Sequence, residues 1–227
     1  MHIEPGIVVG ATKLALGYAT AAGAIGYSAK LALDMAKKDG VGQMAARVLI
    51  AAVLVLSFFE LLPHYPVGVS EVHFILGSTL FLMFGAGPAA LGLATGLLVQ
   101  GLFFAPADLP QYGMNVTSLL VPLLAVHALA AKIIPANTAY TEVSYAQALK
   151  LSTAYQGGVV AWVAFWAFYG AGFGAENLAN VAAFGGAYMS VILIEPVLDL
   201  GMLAVAKTLR SMENSKLFHA RMYHPAV

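Results

Sequence analysis

The chain has 227 residues, of which 60% are hydrophobic and only 10% charged, with no cysteine, no net charge and a mean hydropathy of +0.83. Soluble domains carry about 25% charged residues, so this chain lacks the polar surface to cover a water-soluble globule. A neutral chain offers no electrostatic footprint for nucleic acid, and the missing thiols exclude disulfides and thiolate metal ligands. Any metal must be held by nitrogen, oxygen or thioether sulfur.

These numbers predict an all-α, polytopic membrane helix bundle. A spanning helix needs about 20 mostly apolar residues. The start, Met1 to Gly6, has no Lys or Arg before the first apolar run, so it does not read as a cleaved signal peptide. The first candidate span runs from Ile7 to Met35 and the second from Met44 to Leu62. The third, Val72 to Phe84, is short and breaks at Gly85-Ala86-Gly87-Pro88; the fourth runs from Ala89 to Phe104. The fifth covers Met114 to Ile134, the sixth Leu149 to Tyr169 and the seventh Leu178 to Leu209. Because segments three and four are short, six spans is the alternative count.

Charge orients these spans. Lys37, Lys38 and Arg47 lie between the first two, Lys132 and Lys150 flank the loop between the fifth and sixth, and Lys207, Arg210, Lys216 and Arg221 follow the seventh. The loops Pro63 to Glu71, Ala105 to Gly113 and Gly170 to Asn177 contain neither Lys nor Arg. Seven spans place every basic cluster on the cytoplasmic side, with the N-terminus outside. The expected organisation is a single transmembrane domain over residues 1–210 and a cytoplasmic tail over 211–227, multi-pass in the inner (plasma) membrane.

Small residues repeat every four positions at Ala11, Ala15, Ala19 and Gly23, with a second stripe at Ala22 and Gly26 and a third at Gly92 and Gly96. This spacing lets helix backbones approach closely in lipid. Packing within the chain and docking of another membrane subunit both fit; composition favours packing within the chain.

Polar residues at membrane depth are costly and therefore informative. His2, Glu4, Glu60, His64, Glu71, His73, Gln100 and Asn115 fall at or near the external ends. His127, Glu195 and Asp199 fall toward the cytoplasmic half, and His219 and His224 in the tail. Singly, each external residue has an ordinary explanation: Glu4 before Pro5 complements a helix dipole, and a lone His73 at a helix start is more often hydrogen-bonded than ligating. His2 changes the balance. A bulky second residue leaves the initiator Met in place. The Met1 amine, the His2 amide nitrogen and its Nδ1 then close unstrained five- and six-membered chelate rings. Three coplanar nitrogens plus one further imidazole suit square-planar Ni²⁺.

The opening Met1-His2-Ile3-Glu4-Pro5-Gly6 resembles the MHI-x-x-G start of the cobalt/nickel substrate-binding subunits of energy-coupling-factor transporters, the CbiM/NikM family. Gly68-Val69-Ser70-Glu71-Val72-His73-Phe74-Ile75-Leu76-Gly77 resembles that family's G-x-S-x-x-H-x-x-x-G stretch, which opens a helix. Phe84 to Pro88, Gln100, Tyr112-Gly113-Met114-Asn115 and Ile194-Glu195-Pro196-Val197-Leu198 resemble later family elements, in family order. Glu195-Pro196 departs from it with a proline where glycine is usual. The resemblance implies six or seven helices with the N-terminus tucked inward at the external side. It implies Ni²⁺ or Co²⁺ as transported substrate, held by Met1, His2 and His73. Glu71, Gln100, Asn115 and His64 would stand behind these ligands. No G-x-x-x-x-G-K-[ST] run is present, so energy is expected from partner ATPase subunits acting through a transmembrane coupling subunit. The competing classes are a membrane metalloenzyme, which no H-E-x-x-H spacing supports, and a structural membrane protein.

Overall fold

The computed structural model describes residue 3, residue 8 and residues 10–135, 138–191 and 193–208, with backbone only at 140, 196, 199, 203 and 206–208. Eight helices and one hairpin follow in order: α1 (Ala11–Asp39), α2 (Val41–Leu61), β1 (Tyr65–Val67), β2 (Ser70–Val72), α3 (Gly77–Phe84), α4 (Ala86–Phe103), α5 (Tyr112–Ile133), α6 (Tyr145–Ala171), α7 (Ala175–Val191) and α8 (Glu195–Thr208). Two 3-10 turns, Pro106–Gln111 and Tyr140–Glu142, precede α5 and α6.

Three expectations are corrected. The fold is not purely helical. Gly68, at φ 61°, takes the first of two loop positions between β1 and β2, and Tyr65, Pro66 and Val67 pair with Val72, Glu71 and Ser70. A two-residue hairpin loop needs that positive φ, which glycine adopts without strain. The third segment is helical only from Gly77, because residues 70–72 belong to β2 and 73–76 are non-helical. Eight helical residues rise about 12 Å, too little to cross a bilayer alone. The seventh segment is two helices. Leu193 and Ile194 bond back to the carbonyls of Ser190 and Val191 in a tight turn, and α8 starts at Glu195-Pro196. Proline is accommodated there because the first turn of a helix needs no amide donor.

Three helical stretches among the described residues are long and apolar enough to cross a membrane: Val41–Leu61, Ala86–Phe103 and Pro106–Ile133. α1 and α6, with 29 and 27 residues, have the length but more small and polar residues along them.

α4 lies in the middle, packed on α1, α2 and α5. Its glycines make this possible. A β-carbon at Gly92 would lie 2.4 Å from Ala51 Cβ, and one at Gly96 would lie 2.7 Å from Val55 Cγ1. α1 behaves oppositely. Its buried face is Gly17, Ala21, Ala24, Ser28, Ala32 and Ala36, whereas Ala11, Ala15, Ala19, Ala22, Gly23 and Gly26 are exposed. Packing within the chain, favoured by composition, therefore holds for α4 and fails for the α1 stripes. Arg47 is not a loop charge: it lies within α2, buried, paired with Asp39.

Candidate metal-capture site

The site is built where the hairpin meets the ends of α2, α5 and α7. Along a strand, alternate residues point to one side. Glu71 and His73 straddle the end of β2 two residues apart, and the Glu71 Oε2 to His73 Nε2 distance is 2.9 Å. Two residues apart on a helix they would point to different faces. The strand that replaces the expected helix start is thus what joins them.

His73 is 1% exposed. The His64 ring stacks on it at 4.9 Å between centroids with 16° between planes. Phe59, at the end of α2, covers it at 5.1 Å. From α7, the Tyr188 hydroxyl donates to the His73 carbonyl at 3.0 Å. Leu76, three residues on, has φ 52°, a costly conformation for a bulky residue. The packing around it over-determines the loop that presents the imidazole.

The N-terminal arm reaches the same place. Ile3 forms a backbone bridge with Ser70, and its N–H donates to Asn115 Oδ1 at 3.0 Å. The Ile3 side chain is fully buried with Val8, Met114 and Trp166 in a small apolar cluster separate from the main core. Burying a side chain of that size stabilises by about 1.5–3 kcal/mol, enough to hold an arm in place. Trp162 and Trp166 of α6 both donate to Thr117 Oγ1, at 3.0 and 3.3 Å, which ties the cluster to α5.

Of the residues expected at the site, His73, Glu71 and His64 are brought together, and Asn115 holds the arm. Gln100 is turned to Glu60, its Nε2 donating to Oε1 at 2.8 Å. Met1, His2, Glu4, His219 and His224 lie outside the described residues, as does the side chain of Asp199. Among the described residues no three His, Asp or Glu side chains are grouped to hold a metal ion. His127 is elsewhere, edge-on to Phe81 and lining a cavity of about 350 Å³ with Leu31, Asp34, Met35 and Gly87. Tyr188 and Phe59 are not legible in the sequence as site residues. Their roles rest on contacts between distant elements, and a tyrosine within an apolar helix gives no local signal.

A family model described as cobalt uptake substrate-specific transmembrane region, CbiM, matches residues 2–213. The chain belongs to that family. Its members are membrane components for uptake of cobalt or nickel, and this CbiM chain is a transport component whose substrate is a transition metal ion. A solved structure described as a truncated transition metal transporter has the same fold, at a TM-score of 0.67 and 16% identity, over 93% of this chain and 99% of that one. No curated protein sequence matches significantly.

Proposed function

We propose that this chain is the substrate-capture subunit of an energy-coupling-factor transporter. It binds one Ni²⁺ or Co²⁺ from outside through the Met1 amine, the His2 amide nitrogen, which gives up its proton to solvent on binding, the His2 imidazole and the His73 imidazole. The observation that carries this reading is the anchoring of Ile3. Residue 2 is covalently joined to a residue that pairs with Ser70, three positions from His73 on the same short segment. The Glu71 contact supports it further. Metal-bound histidines commonly donate their other ring N–H to a carboxylate, which fixes the tautomer and raises ligand basicity. A proton on Nε2 toward Glu71 makes Nδ1 the basic nitrogen of His73.

The arrangement suits capture better than hydrolysis. Four nitrogens fill the coordination plane of a square-planar ion, so no in-plane position is left for an activated water. Residues 1–210 form the metal-binding transmembrane domain and 211–227 its cytoplasmic tail, with the N-terminus external. The third crossing is made by residues 72–76 together with α3, whose far end lies beside the C-terminal part of α1 across the cavity that contains Phe81, Gly85 and Leu31. The exposed Ala11, Ala15, Ala19 and Gly23 stripe on α1 is the docking face for the transmembrane coupling subunit, and the ATPase subunits act through it.

The test is metal content with a free or a blocked terminus. Protein tagged only at the C-terminus should hold about one equivalent of Ni²⁺ or Co²⁺, and protein with a long N-terminal extension should hold none. Equal binding by both forms would remove Met1 and His2 from the site.

A further inference from the structure

The break between α7 and α8 carries a second polar cluster that the capture site does not use. Glu195, the first residue of α8, is 0% exposed. Its Oε1 accepts from Ser78 Oγ at 3.2 Å, and its Oε2 makes a close contact with Gln156 Nε2. Ser152, one turn earlier than Gln156 on the same face of α6, is fully buried, and its Oγ has no hydrogen-bond partner among the described residues. Gln156 is itself fully buried, and its Oε1 has no hydrogen-bond partner among the described residues. The titratable neighbours are the phenols of Tyr155 on α6 and Tyr188 on α7, with Glu142 on the 3-10 turn against which α8 packs. None of these is a cation, and among the described residues no Lys, Arg or His lies within ion-pairing distance of Glu195.

An ionised carboxylate removed from water without a counter-charge costs several kcal/mol. Two amide donors or hydroxyls reduce that cost but supply no charge. The four side chains provide hard oxygen donors only: a carboxyl, an amide oxygen and two hydroxyls. Such a set does not select Ni²⁺ or Co²⁺ over other ions and does suit a small hard cation. Discontinuous membrane helices place such sites at their breaks.

We propose that Glu195, Gln156, Ser152 and Ser78 form a binding site for one small monovalent cation, a proton or Na⁺, at the α7–α8 break. With a proton, the Glu195 carboxyl donates to Gln156 Oε1 after a half-turn of the amide, which gives that buried oxygen its partner. With Na⁺, the same oxygen and the two hydroxyls complete the coordination. Either ion neutralises the carboxyl and joins α3, α6 and α8. The site is separate from the capture site, so it stands or falls without it.

The experiment is infrared spectroscopy of metal-free full-length protein in lipid nanodiscs, scanned from about pH 5 to about pH 9 in K⁺ or Na⁺ salt. A proton site gives a protonated-carboxyl band, absent in Glu195→Gln, that disappears only as pH rises. A sodium site gives a band that Na⁺ removes and K⁺ does not, with a Na⁺-specific rise in Tm by mass action. Ser152→Ala provides a second variant and should shift the same band. Absence of any such band over the whole range, with no Na⁺-specific change in Tm, would show a bare buried carboxylate and overturn the proposal.

Discussion

The small-residue stripes of α1 and the one of α4 share one sequence spacing and have opposite fates. Gly92 and Gly96 are pressed against Ala51 and Val55 of α2, so tightly that a single β-carbon would collide. Gly23 and Gly26 have nothing within 4 Å of where a β-carbon would sit. Spacing of four licenses a close helix contact without saying with whom. In α4, contact is satisfied within the chain. In α1, it is left for something else, and the proposed reading assigns it to the coupling subunit.

The strongest test of this contrast is to fill both stripes. Gly92→Leu or Gly96→Leu should cost about 3 kcal/mol or more through overpacking against backbone-bound neighbours. The protein should then fail to accumulate, or lose its cooperative thermal transition in detergent. Next comes His73→Ala, which separates folding from capture. It should leave the thermal transition of the metal-free protein in place and lower Ni²⁺ or Co²⁺ affinity by about 100-fold or more, read by titration with a competing chelator. Binding by the native chain should also weaken as pH falls through about 6.5, because a protonated imidazole cannot ligate. Retention of full affinity well below that pH would argue against histidine ligands.

A smaller effect is expected at Glu71→Gln, which keeps the shape but removes the carboxylate from His73. A loss of about 10-fold in affinity is expected, with unchanged stoichiometry. Smallest in stability is Gly23→Leu on the outer stripe, within about 0.5 kcal/mol of the parent. It should retain metal and yet lose co-purification with membrane partners in the native host. If instead Gly23→Leu unfolds the protein, the two stripes are alike and the docking face is elsewhere.

The candidate capture site is unevenly readable in the sequence. His73 and Glu71 stood out because polar residues are rare in such a chain, but their mutual contact depends on β2. The strand is not legible in the sequence because Gly68 to Gly77 is apolar enough to extend the following helix, and only the positive φ at Gly68 and the pairing with Tyr65–Val67 commit it to a hairpin. Asn115 stands out by the same rarity, whereas its bond to the Ile3 amide spans 112 residues and leaves no local trace. Glu195 was visible as a polar residue in an apolar run. That it plugs into α3 and α6 follows from the α7–α8 break, which its own proline helps to place.

What this sequence determined by itself was its solvent and its chemistry. Composition forced burial in lipid, the apolar runs set where helices lie, and the absence of cysteine removed thiolate and left nitrogen, oxygen and thioether donors. These are sums over residues or local properties, and they need no partner to be read. Tertiary structure alone decided which small-residue stripe faces inward, that β2 rather than a helix leads into His73, and that Ile3 is pinned between Ser70 and Asn115. Each of those outcomes is a contact between segments far apart in the chain. Its energy depends on shapes that exist only after the bundle has packed.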